Sequence, residues 1–133
     1  MSVISITIPG QPIPKARPRF SNGRVYTPTR TKEYESRIKQ HLKHLETPIT
    51  NPVEVQITAI LKRPKYMQKP KFYKGLIPHT KRPDLDNIVK AVLDALNNTL
   101  KDDAQVHTLR AQKFYAEIDQ LPRTIITIKE TEL

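Results

Sequence analysis

The stretch Val53-Glu-Val-Gln-Ile-Thr-Ala-Ile-Leu61 carries the clearest strand pattern in the chain. Its apolar residues alternate with polar ones, which is the period-2 pattern of a strand with one face on the core. The same alternation occurs from Val3 to Ile8. Two later apolar segments, Val106 to Tyr115 and Thr124 to Lys129, are also typical of strands. We therefore predict a fold that is organised around a sheet.

Two segments have apolar residues at helical spacing. The first runs from about Thr31 to Leu45, where Thr31 offers a cap and Glu33 and Glu35 suit the positive end of a helix dipole. The second runs from about Leu85 to Asn97, with Asp84 placed to cap it. The order of strands and helices predicts a mixed α/β fold, and the length supports one modest core, so we expect a single domain over residues 1–133.

The segments between these elements are rich in proline and in basic residues. Gly10 to Phe20 contains three prolines, which predict an extended, stiff arm. Ser21-Asn-Gly23 indicates the turn of a short hairpin that includes Arg24 to Tyr26. Lys62 to Arg82 forms a long loop with Tyr66, Phe72 and Tyr73 among its cations, a composition typical of surfaces that stack on unpaired bases. Alternatively, Phe72 and Tyr73 pin this loop to the core.

The formal net charge of +10 is distributed unevenly along the chain. Residues 1–32 contain six of the 23 Lys and Arg residues and residues 62–82 contain eight, whereas all 13 acidic residues lie elsewhere. Such segregation indicates a phosphate-binding surface. The plainer interpretation is a pair of solvated charge runs.

Several classes of function are excluded or disfavoured by composition. The chain has no cysteine, so disulfides, thiolate metal sites and cysteine nucleophiles are excluded. The four histidines (His41, His44, His79 and His107) have no recognisable metal spacing, so we expect them to be surface or core residues. No glycine-rich phosphate loop or Ser-His-Asp arrangement is present. We expect no small organic cofactor. No segment reads as a signal peptide or a membrane span, and a soluble cytoplasmic protein without membrane contact is expected.

Acidic residues interrupt the basic pattern at the start of the second helix. Asp84 and Asp86 directly follow the basic loop, where carboxylates would repel phosphate unless a divalent cation lay between them. Lys90 shares a helix face with Asp86. We expect the strand beginning near Val106 to pass beside this helix start and to bring Asp103 close, which would complete a site for Mg²⁺.

Each of these residues also has a structural explanation. Asp84 can serve as a helix cap, Asp86 as a dipole partner and Lys90 as a surface ion pair with Asp94. Asp102 and Asp103 can form an ordinary polar turn. The combination of these residues, rather than any one of them, favours a metal site.

The chain resembles the RusA family of Holliday junction resolvases in several motifs. The resemblance rests on the Asp84-x-Asp-Asn-x-x-Lys90 stretch, on Asp94-Ala-Leu-Asn97 and on Asp102-Asp-Ala-Gln-Val106, with Gly10-Gln-Pro-Ile-Pro-Lys-Ala-Arg-Pro-Arg19 similar to the start of the family. It spans nearly the whole chain. The bridge between Asn97 and Asp102 is slightly shorter than the commoner pattern, which leaves open whether Asp102 or Asp103 is the third metal ligand.

The resemblance implies a homodimeric α/β endonuclease that resolves four-way DNA junctions by paired nicks, in recombination and repair, with Mg²⁺ or Mn²⁺. It also implies a bacterial or phage origin. Asp84, Asp86 and Asp103 would be metal ligands and catalytic residues, with Asp102 as an additional candidate ligand. Lys90 would be an essential basic residue near them, also with a catalytic role. The DNA-binding residues are predicted among the basic segments: Lys15, Arg17, Arg19, Lys69, Lys71, Lys74, Lys81 and Arg82.

Three alternatives to a junction resolvase remain open, two from other classes of protein and one within the nucleases. A non-catalytic nucleic-acid-binding protein would bind DNA without metal and cut none. An adaptor or inhibitor with a basic docking face would bind an acidic protein and have little affinity for DNA. A flap or general structure-specific nuclease would share the metal site, because phosphate contacts do not encode branch geometry.

Overall fold

A computed structural model of the protein describes residues 2–17, 19–26 and 28–133, without the side chains of Arg19 and Tyr26. Its seven strands, two α-helices and two short 3₁₀ helices (η1 and η2) are, in chain order, β1 Val3–Pro9, β2 Arg19–Ser21, β3 Arg24–Tyr26, α1 Thr29–His41, β4 Val53–Leu61, η1 Lys65–Gln68, β5 Ile77–Pro78, α2 Leu85–Ala95, η2 Asp103–Gln105, β6 Val106–Tyr115 and β7 Arg123–Glu130. The predicted mixed α/β class is confirmed.

Five strands form a mixed sheet in the order β1-β7-β4-β6-β5, and β2 and β3 form a separate hairpin. β4 and β6 are parallel, and the other neighbours pair antiparallel. Apolar residues from the sheet and from both helices form one large buried cluster, which includes Ile57, Ile126, Ile38 and Val92. The alternating positions of the predicted strands therefore do supply the core face of the sheet.

A buried polar contact joins α1 to the sheet inside this core. The Tyr34 hydroxyl lies 2.6 Å from the Thr124 hydroxyl, and both residues are fully buried. Burial raises the pKa of Tyr34 to about 12, since the phenolate would be poorly solvated there. The hydrogen bond satisfies two polar groups that would otherwise destabilise the interior.

α1 starts earlier and ends earlier than predicted. It begins at Thr29, with Pro28 at the N-cap position and no side-chain cap, and it ends at His41, where the amides of Leu42 and Lys43 bond three residues back. The prediction that Thr31 caps this helix is wrong. Its hydroxyl instead accepts from the amide of Ala16 at 3.3 Å and donates to the carbonyl of Pro14 at 3.2 Å, because the proline-rich arm packs against the first turn.

The hairpin and the later elements follow the predictions closely. Asn22 and Gly23 both have positive φ, of 51° and 76°, as a tight two-residue hairpin turn requires. α2, β6 and β7 lie within two residues of their predicted ends. Together, β4, α2 and β6 form a parallel crossover, in which α2 runs antiparallel to the two strands it connects.

The loop from Lys62 to Arg82 is ordered around one buried cation. Arg63 is only 2% exposed, and its guanidinium donates to the carbonyls of Met67, Gly75, Ala116 and Tyr73, the first three at 2.9, 3.1 and 3.2 Å. Tyr73 is 71% exposed, so it does not pin the loop to the core. Phe72 is half-buried and packs edge-on against Tyr66 at 6.0 Å between ring centroids.

Candidate metal and nucleic-acid site

The start of α2 presents two exposed carboxylates. Asp84 occupies the N-cap position, but its side chain makes no capping hydrogen bond. Asp86 accepts a hydrogen bond from the amide of Asn87 at 3.0 Å, and Lys90 is exposed one turn further along. The expected capping by Asp84 is therefore not observed, and its carboxylate oxygens face solvent and remain available to a ligand.

The crossover explains where this helix start lies in the fold. Because α2 runs antiparallel to β4 and β6, its first turn lies at the carboxyl ends of both parallel strands, where Ile88 packs against Ala59 and Leu61. In open α/β sheets, ligands bind outside the carboxyl ends of the strands. Asp84 and Asp86 therefore occupy the end of the sheet at which a site is expected.

Lys113 fixes the segment that leads into Asp84. This half-buried side chain comes from β6, and its ammonium donates to the carbonyls of Lys81 and Pro83, each at 2.7 Å. The amide of His79 donates to the carbonyl of Lys113 at 3.1 Å, and the His79 ring lies 4.4 Å from the Tyr115 ring. Sequence reasoning missed Lys113, although a lysine at an inward position of an alternating strand was a usable signal.

The electrostatic surroundings of this segment are positive. Burial lowers the pKa of His79, and the charge of Lys113 lowers it further. Arg82 and Lys81, on the same segment, are exposed. Exposed carboxylates thus adjoin a cationic surface, an arrangement that suits a bound cation with phosphate beside it.

Asp102 and Asp103 lie at the opposite end of α2. Asp102 caps η2: its carboxylate accepts from the amide of Ala104 at 2.9 Å, and its own amide donates to Gln105 Oε1 at 2.6 Å. Asp103 is exposed. Because Asp102 has a structural role, Asp103 is the better candidate for a ligand.

The expected approach of Asp103 to Asp84 and Asp86 within one chain is wrong. Lys113 contacts Pro83 beside Asp84, whereas Asp103 precedes Val106 at the other end of β6. A strand rises roughly 3.3 Å per residue, so Val106 and Lys113 are separated by about 23 Å. A parallel crossover returns to the sheet at the end opposite the helix start, which is the physical reason. Within residues 2–17, 19–26 and 28–133, no group of three or more His, Asp or Glu side chains could hold a metal ion.

The donors at the start of α2 nevertheless fit a hard cation. Mg²⁺ is commonly bound by one or two carboxylates, completed by water and by substrate phosphate. Asp84 and Asp86 supply two exposed carboxylates two residues apart. They would hold the cation, and its further oxygen ligands would come from water, from DNA or from another chain.

The predicted DNA-binding residues differ in exposure. Six of them are exposed: Arg17, Lys69, Lys71, Lys74, Lys81 and Arg82. Lys15 is only 17% exposed, and its ammonium pairs with Glu35 at 2.8 Å and Asp94 at 3.1 Å. Burial alone would lower the pKa of Lys15, but the hydrogen bonds to Glu35 and Asp94 outweigh it and raise the pKa. These contacts argue against a direct phosphate contact by Lys15. The side chain of Arg19 lies outside the described residues.

A cavity of about 560 Å³ adjoins Asp84. It lies between the arm and the start of α2, with Arg30 and Arg82 on its walls. Sequence reasoning counted Arg30 among the basic residues but did not assign it to the site. No sequence pattern marks this cavity, because its walls come from three separate segments.

These features together define a basic α/β protein with exposed carboxylates at the carboxyl ends of parallel strands, a class suited to acting on nucleic acid. The family model of the RusA endodeoxyribonucleases matches residues 9–129. The chain belongs to this family. A protein of Bacillus subtilis strain 168, "Uncharacterized protein YqaN", is similar to it, with 38% identity over an alignment that covers 98% of each chain. Among the described residues, no helix has the length and apolar content needed to cross a membrane.

Proposed function

We propose that this protein is a homodimeric endodeoxyribonuclease, folded as one domain over residues 1–133, that resolves four-way DNA junctions by paired symmetrical nicks in recombination and repair. It depends on Mg²⁺, and Mn²⁺ can replace it. Membership of the RusA endodeoxyribonuclease family supports the hydrolytic class. The observation that carries the proposal is that the exposed Asp84 carboxylate makes no capping hydrogen bond. It lies beside Asp86 on a surface that is otherwise cationic.

The residues at the start of α2 have separate roles in this proposal. Asp84 and Asp86 hold the cation, which when bound supplies positive charge to the scissile phosphate and lowers the pKa of a water ligand. Lys90 stabilises negative charge on the phosphate as it is attacked. Arg17, Lys69, Lys71, Lys74, Lys81 and Arg82 position the branched DNA through its phosphates.

A second copy of the chain supplies Asp103. Within the described residues, β5 pairs with β6 only at Phe114 and Tyr115, so the edge from Val106 to Gln112 has no strand partner on that side. Leu109, at the centre of this edge, is 45% exposed. An exposed strand edge of this length is a template for pairing with another chain.

Antiparallel pairing of two β6 edges about a two-fold axis at Leu109 joins the two halves of the site. Such pairing sets Val106 of one copy opposite Gln112 of the other, at a strand spacing of about 4.8 Å. It therefore carries the Asp103 end of one copy to the Asp84 end of the other, and it buries Leu109 against its own equivalent. Two sites related by a two-fold axis also suit a substrate that needs two cuts.

Mixing two inactive variants tests the shared site. Asp86→Asn and Asp103→Asn are each expected to lose cleavage of a labelled four-way junction in Mg²⁺. After the two are mixed and allowed to exchange subunits, the heterodimer contains one intact site, with Asp86 from one copy and Asp103 from the other. Nicking should return to about a quarter of the wild-type rate, given random exchange. If both acids acted within one chain, the mixture would stay inactive.

Substitution at the β6 edge tests the pairing itself. Leu109→Glu places two like charges opposite each other at the axis, so sedimentation should give a monomer and cleavage should be lost. Leu121→Glu is the matched control, because Leu121 is 79% exposed and lies outside β6. A Leu109→Glu variant that sediments and cuts like the control would rule out this interface.

The alternative of a non-catalytic nucleic-acid-binding protein makes the opposite prediction. Wild-type protein should be incubated with four-way junction, flap and linear duplex DNA, each with and without Mg²⁺. We expect cleavage of the junction only with the cation. Binding without cleavage of any of the three substrates would favour the alternative, and cleavage of the flap in preference to the junction would correct the substrate.

A further inference from the structure

The cavity beside Asp84 is lined by three kinds of chemistry. Pro12, Pro14 and Pro83 form apolar walls, whereas the two exposed guanidinium groups of Arg30 and Arg82 supply positive charge. The walls also include the side chains of Gln11 and Asn87, which can both donate and accept hydrogen bonds. An apolar slot with two cations and two amides matches the parts of one nucleotide: a base and a sugar, flanking phosphates and a polar base edge.

The walls of the cavity are fixed by hydrogen bonds to the rest of the fold. The amide of Lys15 donates to the carbonyl of Asn87 at 2.8 Å, which ties the arm to α2. The Thr31 hydroxyl donates to the carbonyl of Pro14, which ties the arm to α1. Gln11 Oε1 accepts from the amide of Lys62 at 2.8 Å, so the Gln11 amide nitrogen remains available as a donor. The arm side of the cavity is therefore held in place against α1 and α2.

Its free charged groups are the two arginines and the Asp84 carboxylate, which the proposed function assigns to the cation. Lys15 also lines the cavity, but Glu35 and Asp94 neutralise its ammonium. Arg30 and Arg82 are exposed and can form bidentate contacts with phosphate oxygens. With Asp84 assigned to the cation, a neutral organic molecule would leave both guanidinium groups without an anionic partner, so a phosphate-bearing ligand is favoured.

We propose that this cavity takes one unstacked nucleotide of the junction strand, next to the phosphate that is cut. The cavity volume of about 560 Å³ lies within the range of small-ligand pockets, roughly 300–1,000 Å³. The proline rings pack on the base and the sugar, Arg30 and Arg82 bind the flanking phosphate, and Asn87 contacts the base edge. The position of the cut phosphate at Asp84 rests on the proposed function.

Binding of one nucleotide in this cavity makes cleavage selective for the base at one position of the DNA sequence. Bases at the centre of a four-way junction are more easily unstacked than those in a continuous duplex, because the energy of unstacking is smallest where pairing is already weakened. Once the base is extruded, its hydrogen-bonding edge is exposed to the amide of Asn87. The enzyme then cuts preferentially where the favoured base occupies the cavity.

Cut-site profiling of a library of junctions with randomised central sequences tests this selectivity. Asn87→Ala should reduce the preference for one base at a single position flanking the cut by about 10-fold, as expected for one lost base contact. Arg30→Ala should slow cleavage of all sequences to a similar degree and leave the preference unchanged. Lys39→Ala, an exposed substitution on α1 outside the cavity, is the matched control. A uniform loss of rate in Asn87→Ala, without a change in preference, would overturn the proposal.

A second measurement does not require cleavage. 2-Aminopurine is placed in turn at each central position of a junction, and its fluorescence is followed as the protein is added without divalent metal. One position should brighten as the base leaves the stack, and Arg30→Ala should weaken this response. If no position brightens, the nucleotide does not enter the cavity. If one brightens while no DNA is cut in Mg²⁺, the cavity assignment stands and the nuclease assignment fails.

Discussion

The two ends of α2 carry the same type of residue in different surroundings. At the start of the helix, Asp84 and Asp86 are exposed beside a cationic loop, and Lys113 from the sheet holds the segment that leads into them. Beyond the other end, Asp102 has a structural role as the cap of η2, and Asp103 is the exposed acid. Position alone therefore does not separate a ligand from a cap, but the hydrogen-bond partners do.

Among the described residues, neither end of α2 brings together three side chains that could hold a metal ion. The start of α2 has a cavity and basic neighbours, but it offers only the carboxylates of Asp84 and Asp86. The far end offers the exposed carboxylate of Asp103, next to the open edge of β6. Gln105 anchors the far end by donating to the carbonyls of Ile49 and Asn51, at 2.8 and 2.9 Å. Asp103 is thus presented by a fixed turn, as a ligand for a partner chain should be.

The largest expected effect distinguishes Asp103 from its neighbour. Asp103→Asn should reduce junction cleavage by at least about 100-fold, with thermal stability unchanged. Loss of a group that only supports a metal ligand already costs up to about 100-fold, and loss of a ligand itself should cost no less. Asp102→Ala should keep cleavage close to the wild-type rate but lower the free energy of unfolding by about 1 kcal/mol, because a cap is removed. Single-turnover cleavage and thermal denaturation measure the two effects. Equal losses of cleavage in both variants would remove the distinction.

A smaller effect is expected at Lys113, which tests whether the start of α2 needs its support from the sheet. Lys113→Met removes both hydrogen bonds to the carbonyls before Asp84, so Mn²⁺ affinity measured by calorimetry should fall about 10-fold. The Mg²⁺ concentration for half-maximal cleavage should rise in parallel, while metal-free junction binding stays the same. Lys113→Arg can still donate to both carbonyls and should restore part of the affinity.

Lys129→Met is the control for the Lys113 prediction, because Lys129 is exposed on β7. It removes a strand lysine without touching the loop before Asp84. A Lys113→Met protein with a lower melting temperature but unchanged metal affinity would show that Lys113 only stabilises the fold.

The elements were predictable from sequence where one periodicity dominates. β4 and α2 each bury an apolar face, so the spacing of their apolar residues sets their positions. The start of α1 was not predictable in this way, because Thr31 bonds to an arm that is distant in sequence and does not cap its own helix. Local capping rules fail where tertiary contacts provide the partner.

The residues of the candidate site stay a prediction, and their arrangement in space could not be predicted from the sequence. The motif identified Asp84, Asp86 and Asp103, yet the crossover separates Asp103 from the other two by the length of β6. Composition also overstated the free positive charge, since Lys15 and Arg63 both satisfy internal partners. Burial of a cation cannot be inferred from its occurrence in a basic segment.

The smallest expected effect concerns pH at the start of α2. The pKa of His79 is lowered from 6.5 by burial and by the charge of Lys113, so the unfolded chain binds a proton at a higher pH than the folded one. The contribution of the neutral His79 ring to the free energy of unfolding is therefore fully present above about pH 6.5 and is lost as the pH falls below that value. His79→Gln should flatten the decline in melting temperature between pH 7 and pH 5, whereas His44→Gln, an exposed substitution, should keep the wild-type slope. A wild-type slope in both variants would show that the His79 ring does not couple protonation to the contacts that hold the loop before Asp84.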